Sequence, residues 1–186
     1  MGKKAYILRN LRAMAPGAVL ALVLYAVALP LRRARLKRLG LVSEPWREVV
    51  LALFWAYCGA MAMVLLLPSD FDLLTVLRQG YPGPFFRQGV VNMEFFRTFK
   101  FSKLVLIANV ALFLPLGFCP ALLWRNRSWW GAVIMAAAVP ILVENWQVLI
   151  GRYFDVDDLM LNALGVLLGR FLWHFFGKPR LHCEEE

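Results

Sequence analysis

Two apolar runs joined by a short polar turn decide the fold of this chain. Residues 129–150 read WWGAVIMAAAVPILVENWQVLI, and after GRYFDVDD at 151–158, residues 159–176 read LMLNALGVLLGRFLWHFF. Each run has about 18–22 residues, so that as an α-helix rising about 1.5 Å per residue it can cross a hydrocarbon core of roughly 30 Å. The short turn predicts that the two helices form an antiparallel hairpin in lipid.

Three further apolar runs precede this hairpin, at 13–31, 49–67 and 104–124. The chain is 61% hydrophobic and 18% charged, whereas an ordinary soluble domain is nearer half apolar and a quarter charged. We therefore predict an all-α, polytopic transmembrane bundle of about five membrane segments, with a four-helix core and an N-terminal segment.

The runs also predict the domain organisation. Residues 1–48 hold the N-terminal hydrophobic segment and a basic connection, 49–176 form the transmembrane domain, and 177–186 form a polar tail. The sequence GYPGP at 80–84 excludes a continuous helix through the polar stretch 69–102. The first segment is too long for a signal peptide and has no small-residue cleavage site.

The positive charges predict the orientation in the membrane. The net charge is +9, but the basic residues mainly flank the apolar runs, which indicates lipid head groups rather than nucleic acid as their partners. The connection 32–47 carries six basic residues and 125–128 carries two, whereas 151–158 carries one arginine and three aspartates. We therefore expect 32–47, 125–128 and the tail in the cytoplasm, and 69–102 and 151–158 outside.

The N-terminus conflicts with this orientation. It carries Lys3, Lys4, Arg9 and Arg12, yet it would lie outside if the first segment spans the membrane. The first segment either spans against the charge bias, or it is a re-entrant or surface-lying helix.

Polar side chains inside the last two segments are costly in lipid and need a reason. On the fourth segment, Glu144 and Gln147 share a helical face. On the fifth, Asp155, Asp158 and Asn162 share a face at steps of three and four. A buried carboxylate must be paired, protonated or hydrated, so these residues predict a polar cluster between the helices.

The hairpin predicts how these residues are arranged in depth. Glu144 lies nine residues before the middle of the turn and Asn162 nine after it, so an antiparallel pair places them at a similar depth. Gln147 and Asp158 would form a shallower pair, with Arg152 at the mouth.

Each of these residues also has a structural alternative. Asp155 and Asp157 can cap the fifth helix, where the helix dipole favours carboxylates. Gln147 and Asn162 can join helices by hydrogen bonds alone. Arg152 can pair with the buried glutamate, or its planar guanidinium can bind an anionic ligand through two hydrogen bonds.

Glycine and cysteine positions add little chemistry. Gly165 and Gly169 have the GxxxG spacing that favours close helix packing in membranes. The three cysteines show neither a metal-binding spacing nor a disulfide framework. We expect no cofactor, and Asp155 and Asp158 are the only candidates for holding a cation.

The polar residues and glycines of the last two segments follow one pattern: Glu144-x2-Gln147-x4-Arg152-x2-Asp155-x2-Asp158-x3-Asn162-x2-Gly165-x3-Gly169. Upstream, Asn109 precedes FLPLGF at 113–118, and residues 92–98 read NMEFFRT. Together these motifs resemble the VanZ family over roughly 49–176. Phe95 departs from the family pattern, which has proline there, and Glu94 stands where the family has an aliphatic residue.

The resemblance implies a bacterial, multi-pass protein of the cytoplasmic membrane. The founding member of the family is associated with low-level teicoplanin resistance that leaves the peptidoglycan precursor terminus unchanged. No biochemical activity follows from the family resemblance.

Two hypotheses about function remain. In the first, the protein binds a membrane lipid, a lipid-linked wall precursor or the acyl tail of a lipoglycopeptide at an outward-facing polar cleft. Arg152 would meet phosphate or carboxylate, and Asn109, Gln147 and Asn162 would exchange hydrogen bonds with the ligand. We expect this binding role rather than catalysis. The sequence does not indicate the oligomeric state.

In the second hypothesis the protein is a membrane enzyme acting on such a lipid. Glu144 would be the general base, and Asp155 and Asp158 would orient it or hold a divalent cation. His174 and His182 lie at the opposite end of the bundle, so no histidine supports nucleophilic catalysis. A transporter has less support, because no inverted repeat is visible.

Overall fold

The computed structural model describes residues 3–95, 103–124 and 128–177. The chain divides into two compact units, residues 1–85 and 86–186. The boundary lies inside the range 49–176, which the sequence analysis treats as one domain.

The first unit is a pair of long helices followed by a short one: α1 at Lys3–Arg38, α2 at Pro45–Leu65 and α3 at Leu73–Gln79. Gly17 of α1 and Gly59 of α2 face each other so closely that a Cβ on either would collide with the carbonyl oxygen of the other. Two glycines therefore allow the backbones of α1 and α2 to touch.

A polar contact joins the same two helices near the other end of their contact. The Tyr25 hydroxyl and the Arg32 guanidinium, both on α1, donate to the Glu48 carboxylate in the first turn of α2. The side chains of this ion pair are only partly exposed. A carboxylate at a helix N-terminus is also stabilised by the helix dipole.

These contacts bear on the first segment. Helix α1 is continuous through Pro16 and Pro30, whereas a re-entrant segment would have to turn back. It lies antiparallel to α2 from the glycine contact to the Glu48 contact. If α2 crosses the membrane, α1 therefore crosses it as well.

Helix α3 shows that the polar stretch after α2 has local structure of its own. The Asp72 side chain caps α3 by accepting hydrogen bonds from the hydroxyl and the N–H of Thr75. These two hydrogen bonds lower the pKa of Asp72 below its ordinary value. At Gly80, with φ +77°, the helix ends, as the GYPGP sequence predicts.

The second unit contains, in chain order, β1 at Val90–Asn92, α4 at Lys103–Leu123, α5 at Trp130–Leu149, β2 at Tyr153–Asp155, α6 at Val156–Leu172 and a π-helical turn at Trp173–Gly177. Helix α6 packs against α4 through glycines on both. A Cβ on Gly165 or Gly169 would collide with a backbone carbonyl of α4, and a Cβ on Gly117 would collide with the Val166 carbonyl of α6. The close packing predicted for Gly165 and Gly169 is confirmed, and its partner is α4.

A two-stranded parallel sheet is the element that the sequence analysis did not predict. Strand β1 pairs with β2 so that Val90 faces Tyr153 and Asn92 faces Asp155. Just before β1, the N–H of Gly89 donates to the Val148 carbonyl at 2.9 Å. The end of the long loop is therefore held against the turn between α5 and α6.

The helices have the dimensions that the fold prediction requires. Within the described residues, four stretches are long and apolar enough to cross a membrane: Arg12–Arg38, Pro45–Leu65, Lys103–Leu123 and Trp130–Leu149. Helix α6 has 17 residues, and the π-helical turn extends it to Gly177. The predicted all-α bundle is confirmed, and the chain is a multi-pass membrane protein.

Candidate functional site

The candidate site lies in the second unit, around the turn between α5 and α6. Gly151 adopts φ +77°, a conformation that favours glycine, and the chain reverses direction there. Strand β2 therefore returns beside the C-terminal part of α5, and the first turn of α6 follows directly.

Glu144 is a deeply buried carboxylate of the site. It lies on α5 with 1% of its surface exposed. Its Oε2 accepts a hydrogen bond from the backbone N–H of Asp155 at 3.3 Å. The charges of Asp158, Arg152 and Asp155 are close enough to act on it electrostatically. The hydrogen bond that Glu144 accepts thus comes from the backbone of β2. The electrostatic interaction between Arg152 and Glu144 agrees with the prediction that these two residues approach one another.

Asp155 connects three elements of the site. Its Oδ1 accepts from the N–H of Asp157 at 3.0 Å and so caps α6. Its Oδ2 accepts from the Asn92 side chain of β1 at 3.2 Å. The structural alternative of a helix cap is therefore confirmed for Asp155. Asp157 itself is 1% exposed in the first turn of α6, where the helix dipole favours a carboxylate.

Asp158 and Asn109 join α6 to α4. The Asn109 side-chain amide donates to Asp158 Oδ1, so the predicted participation of Asn109 in the polar cluster is matched by a direct contact. One turn further along α6, Asn162 is 4% exposed, and its Oδ1 is buried without a hydrogen-bond partner among the described residues. An unpartnered buried acceptor is costly in an apolar environment.

Gln147 and Arg152 lie at the end of α5 and in the turn. The Gln147 side chain is buried, and its backbone carbonyl accepts from the Arg152 N–H at 2.8 Å. Arg152 is partly exposed and interacts electrostatically with both Glu144 and Asp158. Hydrogen bonds and electrostatic interactions therefore connect five of the seven predicted residues, Asn109, Glu144, Arg152, Asp155 and Asp158. Gln147 and Asn162 are buried on the neighbouring helices.

Asp155 and Asp158 are the two residues that the sequence offers as ligands for a cation. Across residues 3–95, 103–124 and 128–177, no group of three or more histidine, cysteine, aspartate or glutamate side chains has the arrangement of a metal site. Asp155 and Asp158 instead each accept a hydrogen bond from an asparagine side chain.

Sequence reasoning missed the part that Asn92 plays and the burial of Asp157. Asn92 opens the NMEFFRT motif, and that position was the available signal. The phenylalanines of this stretch, Phe95, Phe96, Phe99 and Phe101, instead predict an interfacial role for the loop. Phe95 is exposed, which fits an interfacial anchor. Phe96, Phe99 and Phe101, expected to anchor the same loop, lie outside the described residues.

The arrangement has two chemical capabilities. Buried carboxylate and amide oxygens beside a partly exposed guanidinium can bind a polar group that carries both donors and an anion. Neighbouring carboxylates in an apolar setting can also exchange a proton with a bound molecule.

Comparisons with known proteins identify the family. Neither the curated proteins nor the solved structures contain a match. The family model described as VanZ/LLP1 matches residues 54–177, which include the whole candidate site and roughly two thirds of the chain. The chain therefore belongs to the VanZ/LLP1 family.

Proposed function

We propose that this protein binds an amphiphile of the bacterial cell envelope at the polar cluster between α4, α5 and α6. The ligand is a membrane lipid, a lipid-linked wall precursor or the acyl tail of a lipoglycopeptide. Its polar part meets the cluster, and its apolar part lies along the surrounding helices.

The burial of Glu144 carries this proposal. A carboxylate at 1% exposure inside an apolar bundle accepts one backbone hydrogen bond, although it can accept several. A purely structural role would be served at lower cost by a neutral side chain. The remaining acceptor capacity of Glu144 and the unpartnered Oδ1 of Asn162 favour a donor-bearing ligand.

Arg152 provides the complementary charge. It is partly exposed beside the buried Glu144 and the half-buried Asp158, so that it can reach a phosphate or carboxylate of the ligand without being fully desolvated. Its guanidinium can bind such a group through two parallel hydrogen bonds, which a lysine cannot do.

The proposed location is the bacterial cytoplasmic membrane, with the cluster on the outer side. The charge bias of the short connections supports this orientation. Single cysteines at two exposed positions test it: Tyr153→Cys beside the cluster and Arg38→Cys at the end of α1. We expect an impermeant thiol reagent to label position 153 and to spare position 38 in intact cells, and the reverse pattern would overturn the orientation.

The binding test uses Glu144→Gln, which keeps the shape and removes the charge. We expect the variant to fold, because an interhelical hydrogen bond in a membrane is worth only about 0.6–2 kcal/mol. We also expect it to lose any protection against teicoplanin that the unmodified chain gives a host. Arg152→Lys should behave similarly. Asn145→Ala is the matched control, because Asn145 is exposed and bonds the Ile141 carbonyl of its own helix.

The readouts are thermal stability in detergent and teicoplanin susceptibility of a susceptible Gram-positive host. The unmodified chain must first protect that host, since only then does the assay report on these residues. Full protection by Glu144→Gln would reject an essential charge. Loss of folding in both Glu144→Gln and Arg152→Lys would make the cluster structural.

Catalysis on a lipid-linked envelope substrate is the second candidate, favoured by the closeness of Glu144, Asp155 and Asp158. Acids that crowd one another are a common setting for a general base. Mass spectrometry of a lipid-linked precursor incubated with purified protein separates the two functions. A product formed by the unmodified protein and absent with Glu144→Gln would replace the binding proposal, and an unchanged precursor that co-purifies with the protein would support it.

A further inference from the structure

A second buried polar group lies at the other end of α6. Arg170 is in the last turn of α6 and is 2% exposed. Its Nη2 donates to the Ser128 carbonyl, at the start of α5, over a long distance of 3.4 Å. Its Nε and Nη1 are buried without a hydrogen-bond partner among the described residues.

Two tryptophans surround this guanidinium without supplying an acceptor. The Arg170 Cζ lies 5.2 Å from the ring centroid of Trp129 and 5.0 Å from that of Trp173. Such cation–π contacts stabilise the charge but leave its N–H groups unbonded. The Nε1 of Trp173 is also buried without a partner among the described residues, so that two neighbouring side chains present unpartnered donors, while the acceptor described for Arg170 is the Ser128 carbonyl.

A cavity adjoins Arg170. It has a volume of about 320 Å³ and is bounded by Arg170, by small residues of α4 and α5 such as Gly117, Ala121 and Ala132, and by Trp124. At roughly 30 Å³ per water, it can hold a head group but not a whole lipid. Trp124 is 60% exposed, as expected of an aromatic residue at the membrane–water interface.

From these observations we propose that this cavity, the Arg170 site, binds a phosphate group, carried by an anionic lipid of the leaflet opposite the Glu144 cluster. Unpartnered donors around a buried cation require an anionic acceptor. Arginine binds phosphate through two N–H groups at once. Basic pockets between membrane helices commonly bind lipid head groups.

The geometry adds one requirement. Nε and Nη1 have no exposed surface, although the residue lines the cavity. Binding therefore involves a small rotation of the guanidinium toward the cavity. Apart from Arg170 and Ser128 the lining is apolar, which suits the glycerol and upper acyl region of a lipid better than a free ion.

The test is native mass spectrometry of the full-length protein in detergent with equal amounts of phosphatidylglycerol and phosphatidylcholine. We expect phosphatidylglycerol to be retained about tenfold more, because both lipids carry a phosphodiester but the choline cation of phosphatidylcholine repels the Arg170 guanidinium. Arg170→Gln should remove this preference. Arg38→Gln is the charge-matched control, because Arg38 is exposed on the other unit, and it should leave the preference intact.

A cavity-filling variant covers the case in which Arg170→Gln does not fold. Ala132→Leu leaves the arginine in place and occupies the cavity, and it should also remove the preference. Retention of phosphatidylglycerol by folded Arg170→Gln or by Ala132→Leu would overturn the proposal. Inorganic phosphate alone is the third arm. If it raises the melting temperature as much as phosphatidylglycerol does, the anion site stands and the lipid assignment falls.

The three glutamates at the C-terminus, Glu184, Glu185 and Glu186, are the competing acceptor within the chain. Their joint substitution by glutamine distinguishes an internal ion pair from a lipid site. The proposal requires unchanged lipid selectivity in this variant. A melting temperature lowered as far as that of Arg170→Gln, with no lipid preference in the unmodified protein, would assign the acceptor to the tail and overturn the lipid site.

Discussion

The two ends of α6 carry opposite charges, and the hydrogen bonds of these charged side chains differ. At the N-terminal end, Asp155 and Asp158 accept hydrogen bonds from Asn92 and Asn109, which belong to β1 and α4. At the C-terminal end, Arg170 has one long hydrogen bond to a carbonyl. The helix dipole favours acids at the first end and a cation at the second. Among the described residues, side chains of other elements donate to the acids, whereas Nε and Nη1 of Arg170 have no acceptor.

The two ends of α6 therefore have different roles. Hydrogen-bonded acids fix the positions of α4, β1 and α6 relative to one another, so the Glu144 cluster has a structural scaffold of its own. Arg170, with one long hydrogen bond among the described residues, contributes less to that scaffold and retains donors for a ligand. Substitutions that affect both ends should therefore destabilise the protein most, those at one end less, and the loss of a single hydrogen bond at the edge of the site least.

The largest effect is expected where both ends depend on the same packing. Gly169→Leu should destabilise the bundle by about 3 kcal/mol or more, because even a Cβ at this position collides with the backbone of α4 at Leu114. Gly169→Ala should also destabilise the bundle, although alanine is the better helix former. Leu168→Ala, on the exposed side of α6, is the control.

Thermal and chemical unfolding in detergent measure the effect of these substitutions. Equal stability of Gly169→Ala and the unmodified protein would show that α4 and α6 do not pack as closely as their glycines indicate.

An intermediate effect should distinguish the two ends directly. Asp158→Ala leaves the Asn109 amide without its acceptor and should cost about 1–2 kcal/mol. Arg170→Met removes a buried charge that has few hydrogen bonds, and in detergent free of anionic lipid it should change stability by less than about 1 kcal/mol. Both are measured as unfolding free energies under identical conditions.

A double-mutant cycle of Asp158→Ala with Asn109→Ala then isolates their hydrogen bond. If Arg170→Met destabilised the protein more than Asp158→Ala does, the contrast between the two ends would be lost, and the arginine would be part of the scaffold.

The smallest effect is expected at the edge of the site. Asn92→Ala removes the hydrogen bond to Asp155 and should cost about 0.5–1 kcal/mol. Hydrogen exchange should speed up in β2, residues 153–155, and remain unchanged in the middle of α5. Met93→Ala, at an exposed neighbouring position, is the control. Equal hydrogen-exchange rates in both variants would show that Asn92 does not stabilise the turn.

Much of the fold could be predicted because lipid imposes a simple length rule. Apolar runs predicted at 104–124 and 129–150 became helices at Lys103–Leu123 and Trp130–Leu149. The last helix begins at Val156, three residues before the predicted run, since its first turn contains Asp157 and Asp158. Hydropathy excludes these charged residues, whereas the cap at Asp155 includes them in the helix.

Apolar length and the cost of charge in lipid act locally along the chain, so residue patterns alone predict the membrane-spanning helices, the hairpin turn and the set of polar residues near it. The contact partners of these elements depend on the folded structure. Strand β1 pairs with β2. The glycines of α6 pack against α4, and Arg170 lines a cavity. These contacts join residues far apart in the chain. Their free energies depend on how closely two backbones approach and on which donors lack an acceptor, and a local sequence pattern shows neither.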